Sequence, residues 1–487
     1  MTKKITKNSV LTFVELPPTQ FGVLNGDSGY DIYSHINMPS RAIATLRGVL
    51  IGEGYTNTYE INPKYHGRGG KLTHENMQSI FQSDVLLLSS ITRTAKQTMS
   101  LADLYKLHNP QGIVVAGGPD PTFRTEDWLD HVDVVIRGEG EATLKDLMQG
   151  LSEDASHLEE IKGIYYIKNG EQKVNMSRPL LSEEELGKMP HPFYDKIVSR
   201  QLKTGTIETT RGCPHDCDYC GVTSMYGNAY RRRPIRWTLE EMANINGFGI
   251  KTFIVDDNIS PGGPKDIERL EAIAAMGEKG NKRVAQITVY AARNEKLLKA
   301  LGNAGVDTLC VGIESLSDET LKDLGKSSDA ALNMWAIPKF REAGFFVHGM
   351  MMLGGDGDTP ESLRETEEWA NHNLDSVQYF TPVPIPGTRF REKNKAEGRI
   401  LSNDWSLYDA QHVLLRPVNF SPYGLQIRIE EMYKSFYSIK NLGNRLKKSP
   451  RKKTTIALSL VALSTLGKNI LNNPQSVAHK EFLKSIS

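Results

Sequence analysis

Short apolar runs separated by amphipathic segments recur along most of the chain, and their order predicts the fold. Residues 10–14 read as a strand that ends at Pro17 and Pro18. Residues 39–54 then have helical spacing, with Ile43, Leu46, Val49 and Leu50 on one side and Gly52 and Gly54 at the close. Residues 84–89, 112–116 and 132–136 are almost wholly apolar, the pattern of strands covered on both faces in a parallel sheet. The β-α-β-α order predicts an α/β, doubly wound, Rossmann-like domain over residues 1–150. Ligands of such sheets bind at the carboxyl ends of the strands. Here those ends are Ser89-Ser90-Ile91-Thr92, Gly117-Gly118-Pro119 and Gly138-Glu139-Gly140. Together they let a broad, flat ligand lie against backbone, although each alone is what an ordinary βα turn looks like. No G-x-G-x-x-G follows the first strand, so a nicotinamide dinucleotide is not expected.

The pattern changes at residues 151–200, which read as a hairpin turning at Asn169-Gly170 and an acidic, proline-punctuated linker. Alternation then resumes over residues 201–420, with strands at 205–210, 252–255, 285–290, 308–313, 345–352 and 376–380. Six βα units predict an open, partial barrel, a (β/α)6 relative of the closed eight-fold form, with polar strand ends as the place for catalysis. Residues 421–487 are a helical tail, with helical spacing at 430–446, six basic residues between Arg445 and Lys453, and an uncharged, largely apolar stretch at 454–466. A basic run beside an apolar helix suits peripheral contact with an anionic membrane; a helix packed on the barrel with a solvated charge run is the plainer expectation.

Composition narrows the function. With 487 residues the chain has room for two or three cores. Its 59 basic and 58 acidic residues give a formal charge of +1, so no nucleic acid partner is expected. Residues 1–10 contain lysines but no apolar h-region, and no stretch of about 18 apolar residues occurs, so neither a signal peptide nor a spanning helix is expected. Four cysteines, three of them clustered, do not form a secreted disulfide framework. A reduced cytoplasm is the expected setting.

The clustered cysteines carry the chemistry. Cys213, Cys217 and Cys220 share a ten-residue loop with Gly212 and Pro214. Convergent thiolates bind zinc or iron–sulfur. A structural zinc site wants four tetrahedral ligands, whereas three thiolates on a cubane leave one iron open to a small molecule.

Cys213-x-x-x-Cys217-x-x-Cys220, with aromatic Tyr219 before the last cysteine, resembles the motif of the radical S-adenosylmethionine (SAM) enzymes. Ala116-Gly-Gly-Pro119, Arg137-Gly-Glu-Gly140, Val255-Asp-Asp-Asn258 and Gly312-Ile-Glu-Ser315, in that order, resemble the cobalamin-binding subgroup, and the likeness spans residues 10–420. The resemblance implies an N-terminal cobalamin domain, a partial barrel and a small helical C-terminal region. It implies that Cys213, Cys217 and Cys220 hold a [4Fe–4S] cluster whose open iron chelates S-adenosylmethionine. By the same resemblance Tyr219 lies near the adenine, Asp256 and Asp257 meet the methionine amino group, and Arg293 its carboxylate. Glu314 meets the ribose, and Gly354 and Gly355 let backbone approach. Cobalamin contacts come from Ser89, Ser90, Thr92, Gly117, Gly118, Gly138, Glu139 and Gly140. The bland readings are a cap for Asp256-Asp257, a surface ion pair for Arg293 and a small buried hydrophobe for Cys310. Asp-x-His-x-x-Gly, which supplies a histidine to cobalt in some cobalamin proteins, is missing here. The implied activity is radical methyl transfer to an unactivated carbon of a small-molecule or lipid- or tetrapyrrole-like substrate, with an electron donor such as flavodoxin or ferredoxin. The alternatives are a cyclase or oxidoreductase using the same cofactors and, from another class, a non-catalytic, metal-stabilised cobalamin carrier or sensor.

Overall fold

A computed structural model describes residues 4–17, 38–67, 71–153, 155–202, 204–246, 251–277, 282–449, 455, 456, 459 and 474–487. The described residues divide into two compact units, the first comprising 4–17 and those from Pro39 to Leu202, the second comprising Met38 and those beyond Leu202.

The first unit is built on a seven-stranded sheet of order β2-β1-β3-β4-β5-β6-β7. Its parallel part comprises β1 (Leu11–Glu15), β2 (Thr58–Ile61), β3 (Val85–Ser89), β4 (Ile113–Gly117) and β5 (Val134–Ile136). Strand alternation sends Phe13, Val85, Leu87, Val115 and Val134 into one apolar layer and Val14, Leu86, Leu88, Val114 and Val135 into the other, so both faces are covered. The hairpin at Asn169-Gly170, both residues at positive φ, forms β6 (Ile164–Lys168) and β7 (Glu171–Val174). It adds to β5 in antiparallel register, and so extends the first sheet. The segment expected as a linker carries two short helices, Glu183–Lys188 and Lys196–Gln201. Its Leu181 and Leu186 are buried.

One buried charge cluster sits at the β2 edge of this sheet. Arg47 Nη1 lies 3.4 Å from Glu60 Oε2 and 3.1 Å from Asp195 Oδ2. Burial pushes the Glu60 carboxyl up to about 7 in spite of Arg47. Between its ordinary value and 7 the folded chain keeps a proton that the unfolded chain has released. The stability this adds is complete at low pH and is lost as pH rises through 7, at up to ~1.4 kcal/mol per pH unit. Hydrogen exchange across β2 is therefore expected to speed up from pH 5 to pH 8, after correction for intrinsic exchange, and Glu60→Gln to flatten that dependence.

The second unit holds a six-stranded, all-parallel sheet of order β15-β14-β13-β12-β11-β8. Its strands are β8 (Thr204–Ile207), β11 (Lys251–Ile254), β12 (Arg283–Thr288), β13 (Val306–Glu314), β14 (Phe346–Met352) and β15 (Ser376–Phe380); β9 (Thr210–Arg211) and β10 (Arg231–Arg232) form a separate two-stranded ladder. Helices cover one face, where Ala285, Ile287, Leu309, Val311, Val347, Met351, Val377 and Tyr379 join a single apolar core with Leu297, Leu301, Phe340 and Leu374. By alternation the other face, carrying Gln286, Cys310, His348 and Ser376, lines the lumen.

The open edge at β15 is satisfied by side chains from the tail. Tyr433 OH accepts from Tyr379 N and donates to Tyr379 O, both at 2.8 Å. Tyr437 OH does the same to Val377 at 3.1 and 2.7 Å. Two phenols thus stand where a further strand would pair, which removes the exposed ladder of an edge strand. The helical spacing expected at 430–446 resolves into two helices, Pro422–Phe436 and Ile439–Lys448, broken where Ser438 caps the second. Most of the apolar stretch expected at 454–466 lies outside the described residues, as does the basic run beyond Ser449. Arg445, which opens that run, is turned inward with its guanidinium 4.1 Å from the Phe436 ring centroid. Among the described residues no helix is long and apolar enough to cross a membrane.

Candidate active site

The cysteine loop runs between β9 and β10, just beyond the carboxyl end of β8. Asp256 and Asp257, past the end of the neighbouring β11, fix its entry. Asp256 accepts from Thr209 N at 2.6 Å, Thr210 N at 3.0 Å and the Thr209 hydroxyl, while Asp257 accepts from Gly212 N at 3.0 Å. Gly212 has φ +86°, and a Cβ there would lie 2.0 Å from the Ala229 carbonyl oxygen, so no other residue can make this turn without shifting backbone. Beyond it, Cys220 N donates to Cys217 O at 3.2 Å. Asp218 N donates to Leu324 O and Phe390 N to Asp218 O, each at 3.1 Å. Arg389 Nη2 reaches Asp216 Oδ1 at 2.8 Å. The three thiols are therefore presented by a loop braced from both sides.

At the end of β13, Glu314 takes φ +62° behind a register shift at Gly312/Glu314. A β-strand carboxylate held in the left-handed region stores strain, which the surroundings must hold in place. Lys326 Nζ donates to Glu314 Oε1 at 2.9 Å, both side chains about one-tenth exposed. The Tyr219 hydroxyl also bonds Glu314, and burial drives its pKa well above the usual phenol value. Burial raises the thiols as well, Cys217 to about 11, and the Lys326 ammonium opposes that rise at Cys213, Cys217 and Cys220 alike. Lys326 carries no sequence motif and was not among the expected site residues. The signal available was its position just past Gly325, in the turn that braces Asp218.

Several expected residues stand elsewhere. Asp256 is wholly buried and both its oxygens are spent on Thr209 and Thr210, so it positions the loop and does not face a ligand amine. Burial raises both Asp256 and Asp257 to about 6. Gly354 N and Gly355 N donate to Asp358 Oδ2 at 2.8 and 3.1 Å. A Cβ on either glycine would come within 2.3 Å of Leu425 or Thr320. These glycines admit side chains of the protein and do not open backbone to a cofactor. Arg293 is exposed, with its guanidinium 5.7 Å from the Tyr290 ring centroid. His215 stacks on Tyr290 with centroids 5.5 Å apart. The arginines at 231–233 are drawn inward: Arg232 Nε lies 2.9 Å from Asp266 Oδ1 and Arg233 Nη2 2.8 Å from Glu208 Oε1.

In the first unit, Glu15 and Ser89 end adjacent strands β1 and β3, where the strand order reverses direction, the usual ligand position of such a sheet. Glu15 Oε2 accepts from Ser40 Oγ at 2.6 Å and Ser89 Oγ at 3.2 Å. Ser90 and Thr92 are buried and build the loop, Ser90 Oγ 3.1 Å from Thr94 Oγ1 and Thr92 bonded to Asp120. Gly118, at φ +105°, is required because a Cβ would lie 2.8 Å from the Ser90 carbonyl oxygen. Glu139 Oε2 is taken by Leu181 N at 2.7 Å, and a Cβ on Gly140 would pack on Leu46. Gly138, at φ +73°, has nothing within 4 Å of a would-be Cβ. The side chains of Ser90, Thr92 and Glu139 are thus engaged within the protein, contrary to expectation, while Gly117 O accepts from Ser90 N at 3.1 Å and Gly138 N donates to Thr122 Oγ1 at 3.1 Å.

The donor set fits the cofactors. Among the described residues no three His, Cys, Asp or Glu side chains are gathered tightly enough to share one metal ion. The three cysteines brought onto one braced loop are the donor type that an iron–sulfur cluster takes. Metal loading must also displace the thiol protons that burial retains.

Known proteins agree with this arrangement. Residues 207–370 match the family model of the radical SAM superfamily, and residues 74–148 match that of the B12 binding domain. An uncharacterized methyltransferase of Pyrococcus horikoshii is 27% identical over 369 residues, covering 73% of this chain and 79% of the relative. The bacteriochlorophyllide d C-12(1)-methyltransferase of Chlorobaculum tepidum is 26% identical over 374 residues, covering 75% and 77%. The fold is that of the cobalamin-dependent S-adenosylmethionine radical enzyme OxsB with aqua-cobalamin bound, with TM-score 0.69 at 17% identity, covering 98% of this chain and 75% of that one. The chain carries a domain that matches the radical SAM superfamily and, ahead of it, one that matches the B12 binding domain. It is an enzyme whose cofactors are a [4Fe–4S] cluster, S-adenosylmethionine and cobalamin, acting on a small molecule with electrons from a donor.

Proposed function

We propose that this enzyme transfers a methyl group to an unactivated carbon. The reading rests on one observation: a single chain joins a three-thiolate radical SAM loop to a B12-binding domain, and two relatives alignable over about three quarters of it are named methyltransferases. Bound together, the three cofactors supply hydrogen-atom abstraction and a transferable methyl group. The chain supplies the geometry. Cys213, Cys217 and Cys220 would hold the cluster, and Asp257 and Asp256 set the entry of their loop. In this reading Lys326, steadied by Glu314, takes the methionine carboxylate in place of Arg293, because a buried ammonium suits a carboxylate partner. Tyr219 and Glu314 flank the nucleoside, and Gly117 and Gly138 offer backbone to cobalamin. A flavodoxin or ferredoxin would be the donor, with no nucleic acid partner. The division at Leu202 is taken as the boundary between the cobalamin domain and the barrel. Membrane contact is not part of the proposal, since Arg445 is turned inward.

Anaerobically reconstituted enzyme, given methyl-labelled S-adenosylmethionine, cobalamin, reductant and a small-molecule extract of the source cells, is expected to place the label in one extract component. Label in no component while 5′-deoxyadenosine accumulates would remove methyl transfer and leave cyclisation or oxidation.

A further inference from the structure

One exposed face of the second unit is composed as an interface and has no part in the chemistry above. In the helix Ala330–Glu342 the inward side holds Leu332, Ala336, Ile337 and Phe340, all members of the apolar core. The outward side is apolar too. Ala331, Met334, Trp335 and Pro338 recur at the spacing of a single helix face, with Met334 42% exposed and Trp335 45%. A surface helix ordinarily sets charged or polar residues on that side, and a contiguous exposed apolar patch marks an interaction site. The same helix end borders a depression of about 340 Å³, lined by Arg293, Asp329, Ala331, Leu332 and Trp335.

The charge beside this patch leans one way. Arg293, and Lys296 and Lys299 on the exposed side of the helix Glu295–Asn303, form no ion pair among the described residues. The nearby carboxylates are engaged. Asp318 Oδ1 accepts from Ala330 N at 2.7 Å and Asp329 Oδ1 from Leu332 N at 2.6 Å, both at the start of the apolar helix, and Glu295 has Lys339 for a neighbour. The patch also connects to the cysteine loop. His215, midway between Cys213 and Cys217, stacks on Tyr290 with centroids 5.5 Å apart, and the Arg293 guanidinium lies 5.7 Å from that same Tyr290 ring. His215 Nδ1 is also 3.3 Å from the hydroxyl of Ser327, two residues before Asp329. Two short links therefore run from the loop that carries the thiols to the rim of the depression.

We infer that this patch is where a flavodoxin docks to deliver the electron that the cluster needs. Tryptophan, methionine and arginine are enriched at protein interfaces, and Arg293, Lys296 and Lys299 complement the acidic surface of such a carrier. The depression admits the projecting edge of a flavin; a ferredoxin keeps its cluster beneath its own surface and has nothing to insert. In the transfer the reduced flavin loses one electron and the [4Fe–4S] cluster gains it, with no bond made or broken. The inference rests on the reading that a flavodoxin or ferredoxin is the donor. Full-length protein, reconstituted anaerobically, is given S-adenosylmethionine with reduced flavodoxin, reduced ferredoxin or dithionite, and 5′-deoxyadenosine is measured. Binding of oxidised flavodoxin is measured separately by calorimetry, without turnover, and in the wild type should weaken as salt is raised. In Trp335→Ser, and in the double variant Lys296→Glu with Lys299→Glu, the flavodoxin-driven rate divided by the dithionite-driven rate of the same preparation should fall about tenfold. The Kd for flavodoxin should rise by about as much. A ratio and a Kd unchanged in both variants would overturn the docking surface and leave the donor reading standing. Cleavage driven by ferredoxin and not by flavodoxin would overturn flavodoxin as the occupant. Wild-type protein that cleaves S-adenosylmethionine with dithionite and with neither carrier would remove the donor reading itself.

Discussion

Cys217→Ala is expected to yield a colourless protein that forms no 5′-deoxyadenosine above background, while its circular dichroism stays that of the parent. The reason is local. Cys217 is buried at the centre of the loop and its carbonyl accepts from Cys220 N at 3.2 Å, a bond that alanine retains. The bracing by Leu324, Phe390 and Arg389 goes to Asp216 and Asp218, so it also survives. What is lost is one of three thiolates, and a cluster left with two protein ligands is not held. Anaerobic reconstitution followed by iron analysis and chromatography of the cleavage products checks both halves. A brown, active variant would show that the cluster, if any, is held elsewhere.

Lys326→Met is expected to raise the KM for S-adenosylmethionine by roughly 10–100-fold, with cluster occupancy unchanged. Methionine keeps the length of the side chain and removes its charge, leaving Glu314 buried without its cation. Truncating one partner of a buried, hydrogen-bonded charge pair costs ~2–5 kcal/mol, and part of that loss should appear as lost ligand binding. A readout independent of turnover is the change in the electron paramagnetic resonance spectrum of the reduced cluster when S-adenosylmethionine is added, which should need correspondingly more ligand. Arg293→Met, at an exposed position, is the control and should leave both measures within about twofold. If Arg293→Met has the larger effect, the carboxylate lies on the other side of the loop.

The chain's local patterns were enough to read the layers, because period and composition report which face of a segment is buried. The apolar runs near Val85, Val114 and Val134 became β3, β4 and β5, and the strands expected around Ile254, Ile287, Val311, Val347 and Val377 became a parallel sheet. The edge strand Thr58–Ile61 was not read, since Glu60 interrupts its apolar run, and the two-residue β9 and β10 are too short to carry a period. At the site, the three cysteines were legible from spacing alone. The direction of Asp256 was not, because its partners Thr209 and Thr210 lie 47 and 46 residues away in sequence. Lys326 was missed for the same reason: its meaning comes from a 2.9 Å contact with a strained Glu314, which no pattern in residues 318–330 announces. Glycine was the subtler case. Gly212 is demanded by a carbonyl that would meet its side chain, whereas Gly354 and Gly355, read as openings for a cofactor, are filled by Leu425 and Thr320.

The central claim is that one chain holds a radical-generating cluster together with cobalamin. It is tested most directly by reconstituting the wild-type protein anaerobically with iron, sulfide and cobalamin, desalting it, and measuring bound iron, bound cobalamin and 5′-deoxyadenosine formed on adding S-adenosylmethionine and reductant. About four irons and about one cobalamin per chain, with 5′-deoxyadenosine produced, is the predicted result. A protein that retains zinc in place of iron and leaves S-adenosylmethionine intact would contradict it.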